Sequence, residues 1–242
     1  MKNAFVDMID VLLLRITSER IRRFGWWHLF LGVAVTWLVG VGRWYDDPMA
    51  DPVRLTGVGS IVYVLFLGTF IYLVARPLAS ADSPLRNAGK VIIAVMLTAA
   101  PAALYAFPIE RFGDPDLHLN YNTAALFVVS TWRVMMFYSI LRQGGEMDKK
   151  QTWAVMLVVI SVILGVLGFF GVLGAVANSM GGFRDAAEER GATLAGYAFL
   201  AAIPMFIVGV AMYGNQVRWK MFRSPEIPFW TDVDDDEEQE GC

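Results

Sequence analysis

Apolar residues in this chain fall into long blocks separated by short polar stretches. Six blocks, at about 25–42, 58–75, 91–107, 123–141, 152–177 and 194–213, are long enough to cross a bilayer as helices. A hydrocarbon core of roughly 30 Å takes about 20 helical residues at ~1.5 Å each, so all six qualify. The fifth has length to spare, which predicts tilt or projection. The expected fold class is therefore all-α: a polytopic transmembrane helix bundle of six spans.

Residues 4–23 carry a different pattern. Phe5, Met8, Ile9, Leu12, Leu13 and Ile16 recur on one helical stripe, and Asp7, Asp10, Glu19 and Arg22 lie off it. This predicts an N-terminal amphipathic interfacial helix, with Arg20, Arg22 and Arg23 near anionic headgroups. Docking on a partner protein is the alternative. The domain reading is a cytoplasmic-face helix at 1–24, a bundle at 25–217 and a basic-then-acidic tail at 218–242.

Charge orients the bundle. The N-terminal segment and the stretches 76–90, 142–151 and 218–223 together hold fourteen Lys or Arg, against five in the alternate segments. The basic side is expected to be cytoplasmic. That puts both termini inside a multi-pass protein of the cell inner (plasma) membrane. Trp26, Trp27, Trp44, Tyr45, Tyr121 and Trp219 bracket the blocks as interfacial aromatics do.

Composition agrees. The chain is 56% hydrophobic and 18% charged, with a mean hydropathy of +0.49. Soluble domains sit nearer about half apolar and a quarter charged. The apolar run at 11–14 is short and surrounded or followed by Lys2, Arg15, Arg20, Arg22 and Arg23, so no cleavable signal peptide is expected. The lone Cys242 excludes an internal disulfide and lacks the prenylation pattern. Pro225 and Pro228 end any helix, and seven of nine residues at 232–240 are acidic. Such a block is expected to stay disordered, as a solubilising tail or one that recruits a basic partner.

Catalytic and cofactor motifs are sparse. The two histidines, His28 and His118, fall on opposite sides of the predicted membrane, which argues against a bis-His haem. Zincin, phosphate-loop and nucleophile-elbow patterns do not occur. Nor do the four buried carboxylates of a di-iron bundle. The expectation is no catalytic residue, no metal and no cofactor; whether the chain is an enzyme stays open, leaning against. Asp46, Asp47, Asp51 and Glu110 form a candidate outer-face site, since hard cations take oxygen ligands. Solvated loop charge is the plainer alternative.

Arg133 is the informative intramembrane residue. A charge inside a span is costly and marks function or a specific partner. It sits about eight residues, or ~12 Å, from the inner end of span four. Pro101 in span three withdraws the hydrogen bond to the Leu97 carbonyl, which lies roughly 9–10 Å deep. The expectation is that Arg133 caps carbonyls freed at Leu97 by Pro101, locking spans three and four; an anionic substrate or lipid headgroup is the rival. Gly168, Gly171, Gly174 and Ala175 in span five predict close helix packing, within the bundle or between subunits.

The WWHLFLGV run at 26–33, the proline-bearing span ending FPIERF at 107–112 and TWRV at 131–134 carry a family resemblance. Over residues 25–142 the chain resembles bacterial inner-membrane proteins of the Yip1-like kind. The resemblance implies a non-enzymatic role in membrane organisation or trafficking and carries over no site residues. Three functions follow as expectations: a membrane-complex subunit or organiser, a small transporter using Arg133 and the kinked span three, or a lipid-acting enzyme. The expected partners are the lipid bilayer and a membrane protein or second copy of the chain, not nucleic acid.

Overall fold

A computed structural model of the chain describes residues 2–42, 56–106, 118–180 and 186–222, with side chains at 3–42, 56–104, 124–171, 193–220 and 222. All regular structure among them is helical. In chain order the helices are α1 (Lys2–Leu12), α2 (Ser18–Arg22), α3 (Trp26–Gly42), α4 (Val58–Ala75), α5 (Ala88–Leu97), α6 (His118–Ser139), α7 (Lys149–Met180) and α8 (Ala186–Phe222). Short 3-10 segments at Pro84–Arg86 and Ala100–Ala106 flank α5, and a π-helical turn, Ile140–Gly144, extends α6.

Among the described residues, four stretches are long and apolar enough to cross a membrane: Val58–Ala75, Ala124–Gly144, Lys149–Gly171 and Thr193–Lys220. These apolar helices mark the chain as a membrane protein. Trp26–Gly42 and Ala88–Leu104 are shorter apolar helices. The second is interrupted. Pro101 lacks an N–H and disfavours helical backbone just before it, so the α-helix stops at Leu97 and resumes as a tighter 3-10 coil.

The expected single helix over 4–23 is corrected: it is two helices with a break between Leu12 and Ser18. Leu14 takes a left-handed φ of 61°. Tertiary contacts stabilise the break by taking its loose carbonyls. The Trp132 indole N–H donates to Leu12 O (3.0 Å) and the Ser139 hydroxyl to Leu14 O (3.2 Å). The buried face also differs from the expected stripe. Ala4, Asp7, Met8, Val11 and Ile16 are buried, whereas Phe5, Ile9 and Leu13 point outward. His118, expected in a loop, is the first residue of α6, and α8 runs well beyond 194–213 at both ends.

Glycines set the helix crossings at membrane depth. A Cβ at Gly32 of α3 would lie 2.8 Å from Met96 Cβ, and one at Gly40 2.7 Å from Ser60 Oγ. A Cβ at Gly68 of α4 would lie 3.1 Å from Ile92 Cγ1. Helices α7 and α8 form an antiparallel hairpin. Gly168 and Gly171 face Phe199 and Ala195, and Gly209 faces Leu157 and Val158. In lipid, apolar area gains little by leaving one hydrocarbon surface for another, so close backbone approach is what drives such contacts.

One end of the bundle is built differently. There α1, α2, the 76–90 connection and the turn after α6 enclose Val11, Ile16, Ile21, Leu78, Leu85, Ile140, Leu141 and Met147, all fully buried. Ile21 packs on Gly144 and Leu85 on Gly145, while the Ser83 hydroxyl donates to Gly145 O (2.9 Å). Lys90 Nζ reaches Arg22 O (2.6 Å), and Lys220 Nζ reaches Pro77 O (3.2 Å) and Ala79 O. All four basic segments therefore converge at this end. Asp148 and Gln151 start α7 with a reciprocal capping box, Gln151 N to Asp148 Oδ1 (2.8 Å) and Asp148 N to Gln151 Oε1 (3.2 Å).

Candidate functional site

Two polar constellations stand out among the described residues. The first lies where α1 meets α3. Asp7 and His28 are both buried, and His28 Nε2 is 3.0 Å from Asp7 Oδ2. The Gly25 backbone N–H donates to His28 Nδ1 (3.3 Å), so the ring proton belongs on Nε2, which donates to the carboxylate. Arg20 Nη1 donates to Asp7 Oδ1 (3.2 Å) and also pairs with Asp10. Phe24 stacks on the imidazole with ring centroids 4.8 Å apart. The network pins α1, α2 and the start of α3 together. Sequence reasoning missed it, because Asp7 and Asp10 read as the solvated side of an amphipathic helix. Arg20 is correspondingly engaged in ion pairs with them, a correction to its expected place among headgroups.

The second is a cavity of about 200 Å³ between α4, α6, α7 and the end of α5. Leu67, Ile71, Val95, Phe137 and Val159 form buried apolar walls, and Tyr63, Thr98, Ser130 and Arg133 bring the polar groups. Arg133 lies near the middle of the apolar stretch Ala124–Gly144, and the lining residues of α4 and α7 are likewise central in theirs. Tyr63 and Val134 at the rim, both well inside their apolar stretches, are 45% and 39% exposed, so the cavity has a sideways opening between helices. Ser130, Arg133, Val134 and Phe137 share one helical face. Arg133 alone pointed here from the sequence, and Ser130, three residues before it on an apolar span, is the signal that sequence reasoning passed over.

The break in α5 shapes one wall. Thr98 donates its hydroxyl to Val95 O (2.6 Å), and Met96 O receives the Ala99 N–H (3.0 Å) and the Thr36 hydroxyl (3.5 Å). Hydroxyls thus serve carbonyls that lipid could not. Leu97 is fully buried and ends α5, and Pro101 is buried in the 3-10 segment that follows. Arg133 and Thr98 share the cavity, so the structure brings the α5 break and the intramembrane cation into one region.

The other expected positions divide. Gly168 and Gly171 contact α8 of the same chain, where a Cβ on Gly171 would come within 2.5 Å of Ala195 Cβ. Gly174 and Ala175 lie in α7 outside the described side chains. Asp46, Asp47, Asp51, Glu110 and the acidic tail lie outside the described residues altogether. No protein-family model, curated protein or solved structure matches the chain.

Proposed function

We propose that this is a six-span integral protein of the cell inner membrane, with both ends cytoplasmic, acting non-catalytically as a membrane-complex subunit or organiser. The convergence of all four basic segments at one end supports the orientation, since it requires an even number of crossings between them. The arrangement of α7 and α8 carries the functional reading. Among the described residues they pack chiefly on each other, and α8 reaches the other helices through Tyr213 Oη to Val74 O (2.9 Å) and the 76–90 connection through Lys220. Large side chains such as Phe170, Tyr197, Leu200 and Ile207 face outward along the hairpin. A hairpin so placed offers a partner in the bilayer two long helix faces. The Yip1-like resemblance of residues 25–142 points the same way. Purification from native membrane in mild detergent should yield a stoichiometric membrane-protein partner or a homo-oligomer. A monodisperse monomer, with no crosslink from a photoreactive residue at Leu200, would count against the reading.

A second reading, a small transporter, is favoured by one observation: the mid-depth cavity holding Arg133 beside the interrupted α5. On either reading, Arg133 also caps the carbonyls left at Leu97 by Pro101.

A further inference from the structure

We infer that the cavity at Arg133 is a binding site for a small lipophilic monoanion, a carboxylate carried on a short apolar body, which enters from the bilayer. Four features of the site argue for this.

The charge comes first. The described wall carries one formal positive charge and no formal negative one. A guanidinium offers five N–H donors, so Arg133 can hold backbone carbonyls and still present donors to a ligand. In a low-dielectric setting, a carboxylate binds such a group far more strongly than it would at a wet surface.

The second feature is the remaining polarity. Thr98 and Ser130 each donate a hydroxyl to their own helix, at Val95 O and Phe127 O (3.0 Å). Tyr63 adds a phenol at the rim. With the Thr98 and Ser130 hydrogens so used, both hydroxyls line one polar corner as acceptors, and the donors for a carboxylate come from the Arg133 guanidinium and the Tyr63 phenol. The rest of the wall is hydrocarbon. That division matches a molecule with one charged end and an apolar remainder.

Size and access complete the argument. About 200 Å³ lies below the roughly 300–1,000 Å³ of ordinary ligand pockets, so a whole phospholipid does not fit. The sideways opening faces hydrocarbon at the centre of three apolar stretches. Phospholipid headgroups stay at the interface, about half the ~30 Å core thickness away. A weak acid of about six to ten carbons is soluble enough in hydrocarbon to reach that depth as the neutral acid. The net step, neutral acid to carboxylate bound at the guanidinium, releases its proton to the aqueous phase, so binding strengthens as the pH rises toward and past the acid's own pKa. This site does not depend on the partner-docking reading or on net transport.

The test uses the full-length protein in nanodiscs of phosphatidylcholine, with octanoate as the probe. Equilibrium binding of labelled octanoate should be saturable. Octanol, which has the chain without the charge, and acetate, which has the charge without the chain, should compete at least tenfold more weakly. Arg133→Gln should abolish the saturable component, and Arg133→Lys should retain part of it. Should Arg133→Gln not fold, Val134→Trp, at the exposed rim, blocks the opening and should cut binding at least tenfold with thermal unfolding unchanged. Equal competition by octanol, or undiminished binding in Val134→Trp, overturns the proposal. So does a phosphatidylglycerol molecule co-purifying in an Arg133-dependent way and excluding octanoate, since that would make the ligand a membrane lipid.

Discussion

The basic end and the membrane-depth body of this protein are held together by different means. At the basic end, large aliphatic side chains are fully buried beneath a charged surface that includes Glu19, Arg22, Arg23, Asp82 and Arg86. That is the construction of a water-soluble core, in which removing apolar area from water supplies the stabilisation. In the body, bulky side chains such as Phe66, Phe127 and Phe170 are more than 60% exposed, and glycines occupy the contacts. There the surroundings are as apolar as the interior, so stability comes from close approach and satisfied backbone. One chain therefore answers to two solvents, and the same substitution should have consequences of very different size in its two halves.

The sharpest way to break the comparison is a pair of truncations. Leu85→Ala at the basic end should cost about 2–5 kcal/mol, as in a soluble core. Leu200→Ala on the outward face of α8 should cost far less. Unfolding titrations in mixed micelles measure both, and equal losses would show that the two regions are not distinct. Next in size is the converse change. Gly171→Val should cost about 1–3 kcal/mol, because the new Cβ meets Ala195 at the hairpin seam. The same assay reads it, and a cysteine pair across α7 and α8 should lose its crosslink.

His28→Ala tests the polar joint of the basic end. It leaves the buried Asp7 without its imidazole donor and should lower stability by about 1–3 kcal/mol, with faster proteolysis of α1. Unchanged protease resistance would mean that apolar packing alone seats α1. Arg133→Lys should lower thermal stability in detergent by a smaller amount, since a lysine lacks the planar fork that can span several carbonyls. Wild-type stability would remove the capping role. Smallest is Gly196→Ala, where the new methyl meets nothing within 4 Å. It should be neutral or stabilising by up to ~1 kcal/mol, through helix propensity alone.

Much of this contrast is visible in residue order, and some is hidden by it. The apolar blocks locate α3, α4, α6, α7 and α8 because periodicity and length are local properties. Pro101 foretells the end of α5 for the same reason. The capping box at Asp148 and Gln151 is also a local signal, readable from its spacing alone. The break at Leu13–Thr17 is not readable in this way. It contains neither glycine nor proline, and its stabilising partners, Trp132 and Ser139, are more than 100 positions distant. The loops at 76–90 and 142–151 read as solvated basic connections, yet Leu85 and Met147 are core residues there.

By itself, then, the sequence determined that the chain is helical and apolar enough to live in a membrane, and that its basic segments alternate with its apolar ones. Those facts depend on free energies that add up residue by residue along a helix. Only the tertiary structure decided which charges are buried together, as at Asp7, Arg20 and His28, and that Arg133 shares a cavity with Thr98 and Tyr63. The reason is physical: whether a polar side chain meets water, lipid or another polar group depends on its neighbours in space, and these come from distant parts of the chain.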